Sequence, residues 1–244
     1  MDEKNQERRQ FLKSALTVGV AAALAPLAKI EAVEKALKGT PAPTAPSYPD
    51  LVGVKDGSPA QMFEVGIAAL GGMERFVKKG QKVLVKPNIG WDKRPGEGAC
   101  TSPDLVGKII ELALKAGAVE VAVFDNTCND MSACYKNSGI EEAVTKAGGK
   151  IYPGDKEKYY RKVTIPGAKV LKEAKVHELF LDSDVVINVP VLKHHMSSRM
   201  TAALKNFMGV VWDRHFWHGN DLHQCIADFP MIRKIDLTVI DAYT

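Results

Sequence analysis

Aromatic side chains make up only 7% of the 244 residues, and no run of five or more basic residues occurs. Little is therefore available to stack bases or neutralise a phosphate backbone, and nucleic acid is not an expected partner. The net charge is a mild +4 drawn from mixed signs. The four cysteines, Cys100, Cys128, Cys134 and Cys225, have no C-x-x-C spacing. That argues against a zinc knuckle and against a cysteine-motif iron–sulfur cluster carried by this chain. No H-E-x-x-H motif and no internal repeat is present. The longest small-apolar run, Ala15 to Leu24, is short for a membrane span. What remains is a globular composition, 45% hydrophobic and 25% charged, with enough apolar material for one sizeable core.

The first residues read as an address and not as fold. "ERRQFLKSALTVGVAAALAPLA" places the pair Arg8–Arg9 before Phe-Leu-Lys and an Ala/Leu/Val run. This is the pattern of a twin-arginine export signal, with an amphipathic surface helix as the plainer alternative. The signal is assigned to residues 1–32, a Pro-rich linker to 33–50 and an α/β domain to 51–244. The implied location is periplasmic or otherwise extracytoplasmic. The twin-arginine translocase is the implied partner, and membrane contact runs only through the signal if it is uncleaved. That route carries proteins already folded, often around a cofactor. An oxidising destination would permit a Cys128–Cys134 disulfide, with two buried thiols as the alternative.

Beyond the linker, apolar periodicity alternates between 3.6 and 2. "LVGVKDG" at Leu51 reads as a first strand. "SPAQMFEVGIAALGGMERFV" is a helix with Ser58 as N-cap and Pro59 in its first turn. "QKVLVKPNI" is a strand, "SPDLVGKIIELALKAGA" a second Ser-Pro helix, "VEVAVFDNT" a strand, "GIEEAVTKAGG" a helix and "KIYPG" a short strand. "RKVTIPGAKVLKEAKVHELFLDS" suggests a hairpin turning at Pro166–Gly167, and "DVVINVPVL" a buried strand. "SSRMTAALKNFMGVVW" reads as partly helical and "DLTVIDAYT" as a last strand. The alternation predicts an α/β fold, a mostly parallel sheet with helices on both faces. Because such units usually run on from a strand into a helix, the domain is expected to be incomplete at its C-terminus.

Parallel sheets bind ligands beyond the carboxyl ends of their strands. There the sequence delivers Lys86, Asn88, Asp92 and Arg94 after the first long strand, Asp125 and Asn126 after the next, and Asn188 and Lys193 after a third. Asp241 follows the last. Polar strand ends are ordinary, since loops face water. Short sets such as Lys-Pro-Asn and Asn-x-Pro-x-x-Lys-His-His are less ordinary. Lys193, Arg199, Lys205 and Arg214 are candidate anion-binding cations, and Lys205, set in an apolar segment with Asn206, is a candidate nucleophile or tether. Five of the six histidines, His194, His195, His215, His218 and His223, crowd into the last third of the chain. Neutral imidazole is a common ligand of nickel, zinc, copper and iron, so the five are candidate metal ligands; packing against Trp212, Phe216 and Trp217 is the plainer alternative.

"VLVKPNIGWDKRP", "SDVVINVPVLKHH", "TAALKNFMG" and "LHQCIADF…LTVIDA" resemble the widespread prokaryotic family called domain of unknown function 362, from about Leu51 to Thr244. Some members of that family carry added ferredoxin-like cysteine motifs, which this chain lacks. A more distant similarity is to the N-terminal domain of the nickel-pincer lactate racemases. There a histidine stands ten residues before the lysine that tethers a nucleotide-derived cofactor, and a later histidine ligates nickel. His195, Lys205 and His223 occur in that order, and Asp92-Lys93-Arg94-Pro95 resembles the family's substrate-binding element but is one residue short. The glycine-rich run before the racemase lysine is replaced by "RMTAALK". The resemblance implies His195 as acid/base and Lys205 as tether, with a nickel-containing cofactor.

Three functions follow as expectations. One is an exported racemase- or oxidoreductase-like enzyme acting on a small anionic ligand, with a transition metal or the nickel cofactor. Another is a non-catalytic metal- or anion-binding protein. The third is an electron-transfer accessory, which requires Cys128, Cys134 and Cys225 to lie together.

Overall fold

The computed structural model describes residues 47–243. The signal at 1–32 and most of the linker lie outside the described residues. A compact unit begins at Tyr48, whose ring packs on Gly71 and under the Arg75 guanidinium at 4.9 Å.

Five strands form one parallel sheet: β1 (Lys82–Pro87), β2 (Glu120–Val123), β3 (Lys150–Ile151), β6 (Val185–Val189) and β9 (Leu237–Thr238), in the order β3-β2-β1-β6-β9. The chain builds outward from β1 through β2 to β3, then returns to the other side of β1 with β6 and β9. The order therefore reverses between β1 and β6, where the register sets Leu84 opposite Val186 and Lys86 opposite Asn188. A reversal of this kind opens a crevice at the strand carboxyl ends.

Strand residues alternate between two cores. Val83, Val85, Val121, Val123, Val185 and Ile187 face one layer, made by α1 (Pro59–Ala69), α2 (Pro103–Lys115), α3 (Met131–Asn137) and α4 (Ile140–Lys146). Leu84, Ala122, Phe124 and Val186 face the other. That second layer holds the antiparallel hairpin β4 (Tyr160–Thr164) and β5 (Glu173–His177), α5 (Glu178–Asp182), the 3-10 segment Leu204–Val210, α6 (His215–Gly219) and α7 (Leu222–Asp228). The α/β architecture with helices on both faces is thus present, though the second face is covered by short helices and a hairpin. Among the described residues no helix is long and apolar enough to cross a membrane.

Local signals explain most elements. Ser58 and Gln61 form a reciprocal capping box at the start of α1, with Pro59 in its first turn. Ser102, read as the equivalent cap of α2, makes no side-chain cap bond. Asp241 instead takes the Ser102 N–H at 2.7 Å, so this strand-end carboxylate serves the fold and does not join the other strand-end groups. The hairpin turns through Pro166–Gly167, with Thr164 paired to Glu173.

One expected element differs. "LVGVKDG" is not a strand: it has no partner in the sheet, and Val54 lies against Gly66 of α1 instead. The stretch from Ser197 to Trp212 is helical in part, through the 3-10 segment Leu204–Val210, and Arg199–Thr201 (β8) pairs with Lys193–His195 (β7) in a two-stranded ribbon.

Candidate active site

On the second face of the sheet the strands change character over one alternation. Leu84 and Val186 are apolar and fully buried; Lys86 and Asn188, two residues on, are polar and equally buried. Their polar atoms need partners, and Asn206 supplies them. Its Nδ2 donates to Asn188 Oδ1 at 2.9 Å and to Lys86 O at 3.1 Å, while its Oδ1 accepts from Lys86 Nζ and Asn88 Nδ2, each at 3.2 Å. Asn88 Oδ1 in turn accepts from Lys193 Nζ at 3.2 Å. Three asparagines thus tie β1, β6, the ribbon and the 3-10 segment into one polar floor.

Lys86 Nζ lies 2.8 Å from Asp125 Oδ1, with both side chains buried. The distance suits a charge-assisted hydrogen bond, but Oδ1 has no well-directed donor; we read the contact as an ion pair. Asp125 Oδ2 accepts the Ile89 N–H at 2.7 Å. Burial lowers the Lys86 pKa, and the Asp125 carboxylate opposes that shift. The pair is roofed by Gly209, where a Cβ would stand 1.8 Å from Asp125 Oδ1 and 2.6 Å from Lys86 Nζ. Only glycine fits that approach. The Gly209 carbonyl also accepts the Asn126 N–H at 2.9 Å.

Above this floor opens a cleft of about 360 Å³, within the size range of small-molecule sites. Lys193, Lys205, Arg214 and His218 line its walls, with Asp125 as the lone carboxylate among its lining residues. Arg214 is held rigidly, donating to Asn126 O and Thr127 O at 2.8 Å each. Nη1 also meets Cys128 Sγ at 3.4 Å, and the donors that remain have no partner among the described residues. Lys193 is spent on Ala99 O and Asn88 Oδ1, which leaves it one donor. Burial lowers its pKa. Lys205 is half-buried, and its one polar contact among the described residues is the Met208 thioether, at 3.4 Å. Its pKa is brought down to about 8, first by burial and further by Lys193 and Arg214, against an opposing pull from Cys128.

Three imidazoles line the cleft, those of His195, His215 and His218. His195 and His218 stack with ring centroids 5.9 Å apart. Burial, then the Lys205 charge, brings His195 down to about 4 and lowers His218. His195 Nδ1 accepts the Ser198 N–H at 3.1 Å. Its neutral form therefore carries the proton on Nε2, as an assignment from that bond. At neutral pH it is a hydrogen-bond donor and not a free base. His218 has no such tether among the described residues.

The predicted site residues divide cleanly. Lys86, Asn88, Asp125, Asn126, Lys193, His195, Lys205, Asn206, His215 and His218 line the cleft. Asn188 lies beneath it, consumed by Asn206 and Ala203 O. Asp92 and Arg94 are outside: the Asp92 carboxylate accepts from Asn137 Nδ2 at 2.6 Å, and the Arg94 N–H donates to Glu97 Oε2 at 2.6 Å, so their loop folds on itself and toward α3. His194 is exposed because strand alternation in β7 turns it away from Lys193 and His195. His223 is exposed on α7 and does not line the cleft. The expected five-histidine metal set is therefore not assembled. Among the described residues no three or more His, Cys, Asp or Glu side chains are grouped to hold a metal ion. The order His195, Lys205, His223 does not become a three-point site, since His223 lies outside the cleft, so these residues do not fit the nickel-pincer group.

All four cysteines are free thiols. Cys134 is buried in the helical core, where burial raises its pKa to about 11, and Cys225 is in the opposite core. Cys128 sits on the cleft, 3.4 Å from Arg214. Neither the disulfide nor the three-cysteine cluster forms. Sequence reasoning also missed Thr201, whose buried Oγ1 lines the cleft without a partner, and Gly209. The available signal for Gly209 was a glycine closing an apolar segment directly after the Lys-Asn pair.

Residues 83–244 match the family described as Domain of unknown function (DUF362). The chain belongs to that family. The match begins inside β1 and takes in every residue lining the cleft. Over 187 residues the chain is 30% identical to the thylakoid-associated protein sll1697 of Synechocystis sp., covering 70% of this chain and 54% of that protein. The chain thus spans about half the length of the curated relative it matches. A crystal structure of a protein from Thermotoga maritima is similar with a TM-score of 0.53 and 17% identity, over 76% of this chain and 52% of that one. At that identity the likeness speaks for the α/β fold alone.

Proposed function

We propose that this protein binds a small organic anion in the cleft at the carboxyl ends of β1, β2 and β6. The observation that carries the reading is electrostatic. Lys193, Lys205 and Arg214 face a cleft whose lone carboxylate, Asp125, is already engaged by Lys86. Three cations without carboxylate partners, partly withdrawn from water, attract a carboxylate or phosphate strongly. Arg214 offers the planar fork and Lys193 a fixed point charge. His195 donates through Nε2, and His218, whose pKa burial lowers, is an untethered imidazole able to accept a proton. This moves the acid/base role first expected of His195 to His218.

An enzyme acting on such an anion is the first reading, and a non-catalytic binding protein uses the same cations. The twin-arginine signature supports a site of action outside the cytoplasm, reached by the translocase. Titration calorimetry of the full chain with pyruvate, succinate and inorganic phosphate tests the binding. At least one of the three is expected to bind, and Arg214→Ala is expected to weaken it about tenfold or more, the loss of a charged hydrogen bond. Heat-silent titrations with all three, or affinity unchanged in Arg214→Ala and Lys193→Ala alike, overturn the reading.

A further inference from the structure

Lys205 is unlike the other cleft cations. Lys86 is matched by Asp125, Lys193 is bound by a carbonyl and an amide oxygen, and Arg214 is clamped by two carbonyls. Lys205 has a thioether for its one polar contact, and no carboxylate is among the groups that act on it. A charged ammonium gains little from sulfur, a weak acceptor. The arrangement shifts Lys205 toward the neutral amine, which is a nucleophile for a bound electrophile. We propose that Lys205 forms a reversible imine with a carbonyl-bearing carboxylate, of the 2-oxo acid class, held by Arg214 and Lys193. The proposal rests on the anion-binding reading above and names the chemical class of the ligand.

The step balances without a further reactant. The neutral Nζ attacks the carbonyl carbon, and the C–N bond forms as the π pair moves onto oxygen, which takes a proton. Nitrogen releases a proton, for which the untethered His218 is an acceptor in the cleft. The hydroxyl takes another proton and leaves as water, the nitrogen lone pair closes the C=N bond as an iminium, and loss of its N–H proton returns the proton taken up and gives the imine. Amine and ketone become imine and one water. Two features of the site suit this. The amine is brought down to about 8, so an appreciable fraction is unprotonated near neutrality. The His195 Nε2–H is a donor of the kind that polarises a carbonyl oxygen.

The experiment is reductive trapping on the full chain. The protein is incubated with pyruvate and sodium cyanoborohydride near pH 7.5, and its intact mass and peptide map are read. The expected result is one adduct, equal to pyruvic acid less one oxygen atom, on the peptide bearing Lys205. It should form at least tenfold faster than adducts on surface lysines. It should disappear in Lys205→Arg, and excess succinate should slow it. Calorimetry with succinate, which has no carbonyl, runs in parallel. Succinate binding with no preferential adduct at Lys205 overturns the imine while leaving the anion site standing. No preferential adduct together with silent titrations of succinate, pyruvate and phosphate overturns the two together. An adduct that persists in Lys205→Arg also overturns the imine. If Lys205→Arg does not fold, the peptide map of the unaltered chain still decides.

Discussion

The two faces of the sheet are built by different rules. On one, regular helices of up to 13 residues lay aliphatic stripes over Val83, Val85, Val121 and Ile187, and the interior of that layer is apolar. On the other, short helices, a hairpin and 3-10 turns cover Leu84 and Val186 and then give way to a buried polar floor of Lys86, Asp125, Asn188 and Asn206. The first face draws its stability from area removed from water. The second surrenders part of that gain, because a buried ion pair recovers at best its own desolvation. What it obtains is a set of fixed charges at the crevice.

The sharpest way to break this comparison is Asp125→Ala, which leaves Lys86 buried and unpaired. It should cost about 3–5 kcal/mol in urea unfolding. Lys86→Met with Asp125→Leu should recover most of that loss, since an apolar pair carries no charge to desolvate. A single substitution no worse than one on the helical face would show that the floor is wetter than the structure has it. Gly209→Ala comes next: its Cβ cannot coexist with the observed ion pair, and a loss of about 1–3 kcal/mol is expected from overpacking. On the helical face, Ile110→Val should cost about 0.5–1.5 kcal/mol, read from the same unfolding curves.

A separate effect is in pH. His195 falls from its ordinary 6.5 to about 4 on folding, so between those values the unfolded chain binds more protons. Its contribution to stability is complete above pH 6.5 and is lost as pH falls toward 4. His195→Gln should flatten that part of the stability profile relative to the unaltered chain. Identical slopes would show that the imidazole remains hydrated.

Of the sheet, what was legible in the sequence followed from periodicity. The β-branched runs at Val83, Val121 and Val185 and the Ser-Pro helix starts are local signals, and local physics produced them as expected. "LVGVKDG" failed because an extended apolar segment becomes a strand only where a neighbour offers hydrogen bonds, and α1 offered side chains instead. The site was half legible. Lys-Pro-Asn and Lys-His-His announced themselves as polar groups at strand ends, but composition could not separate His195 from His194, since a one-residue step in a strand reverses the side chain. Nor could it tell Asp241, used on α2, from Asp125, used on Lys86.

The sequence by itself determined a parallel α/β sheet and a concentration of cations and imidazoles near its strand ends. Those depend on residue type and spacing, which are local. Only the tertiary structure decided which charges were neutralised, which histidine was tethered, and that one lysine was left with sulfur for company. Such facts depend on contacts between residues as far apart in the chain as Lys86 and Asn206. Burial and pairing, not residue identity, set the chemistry of an ionisable group.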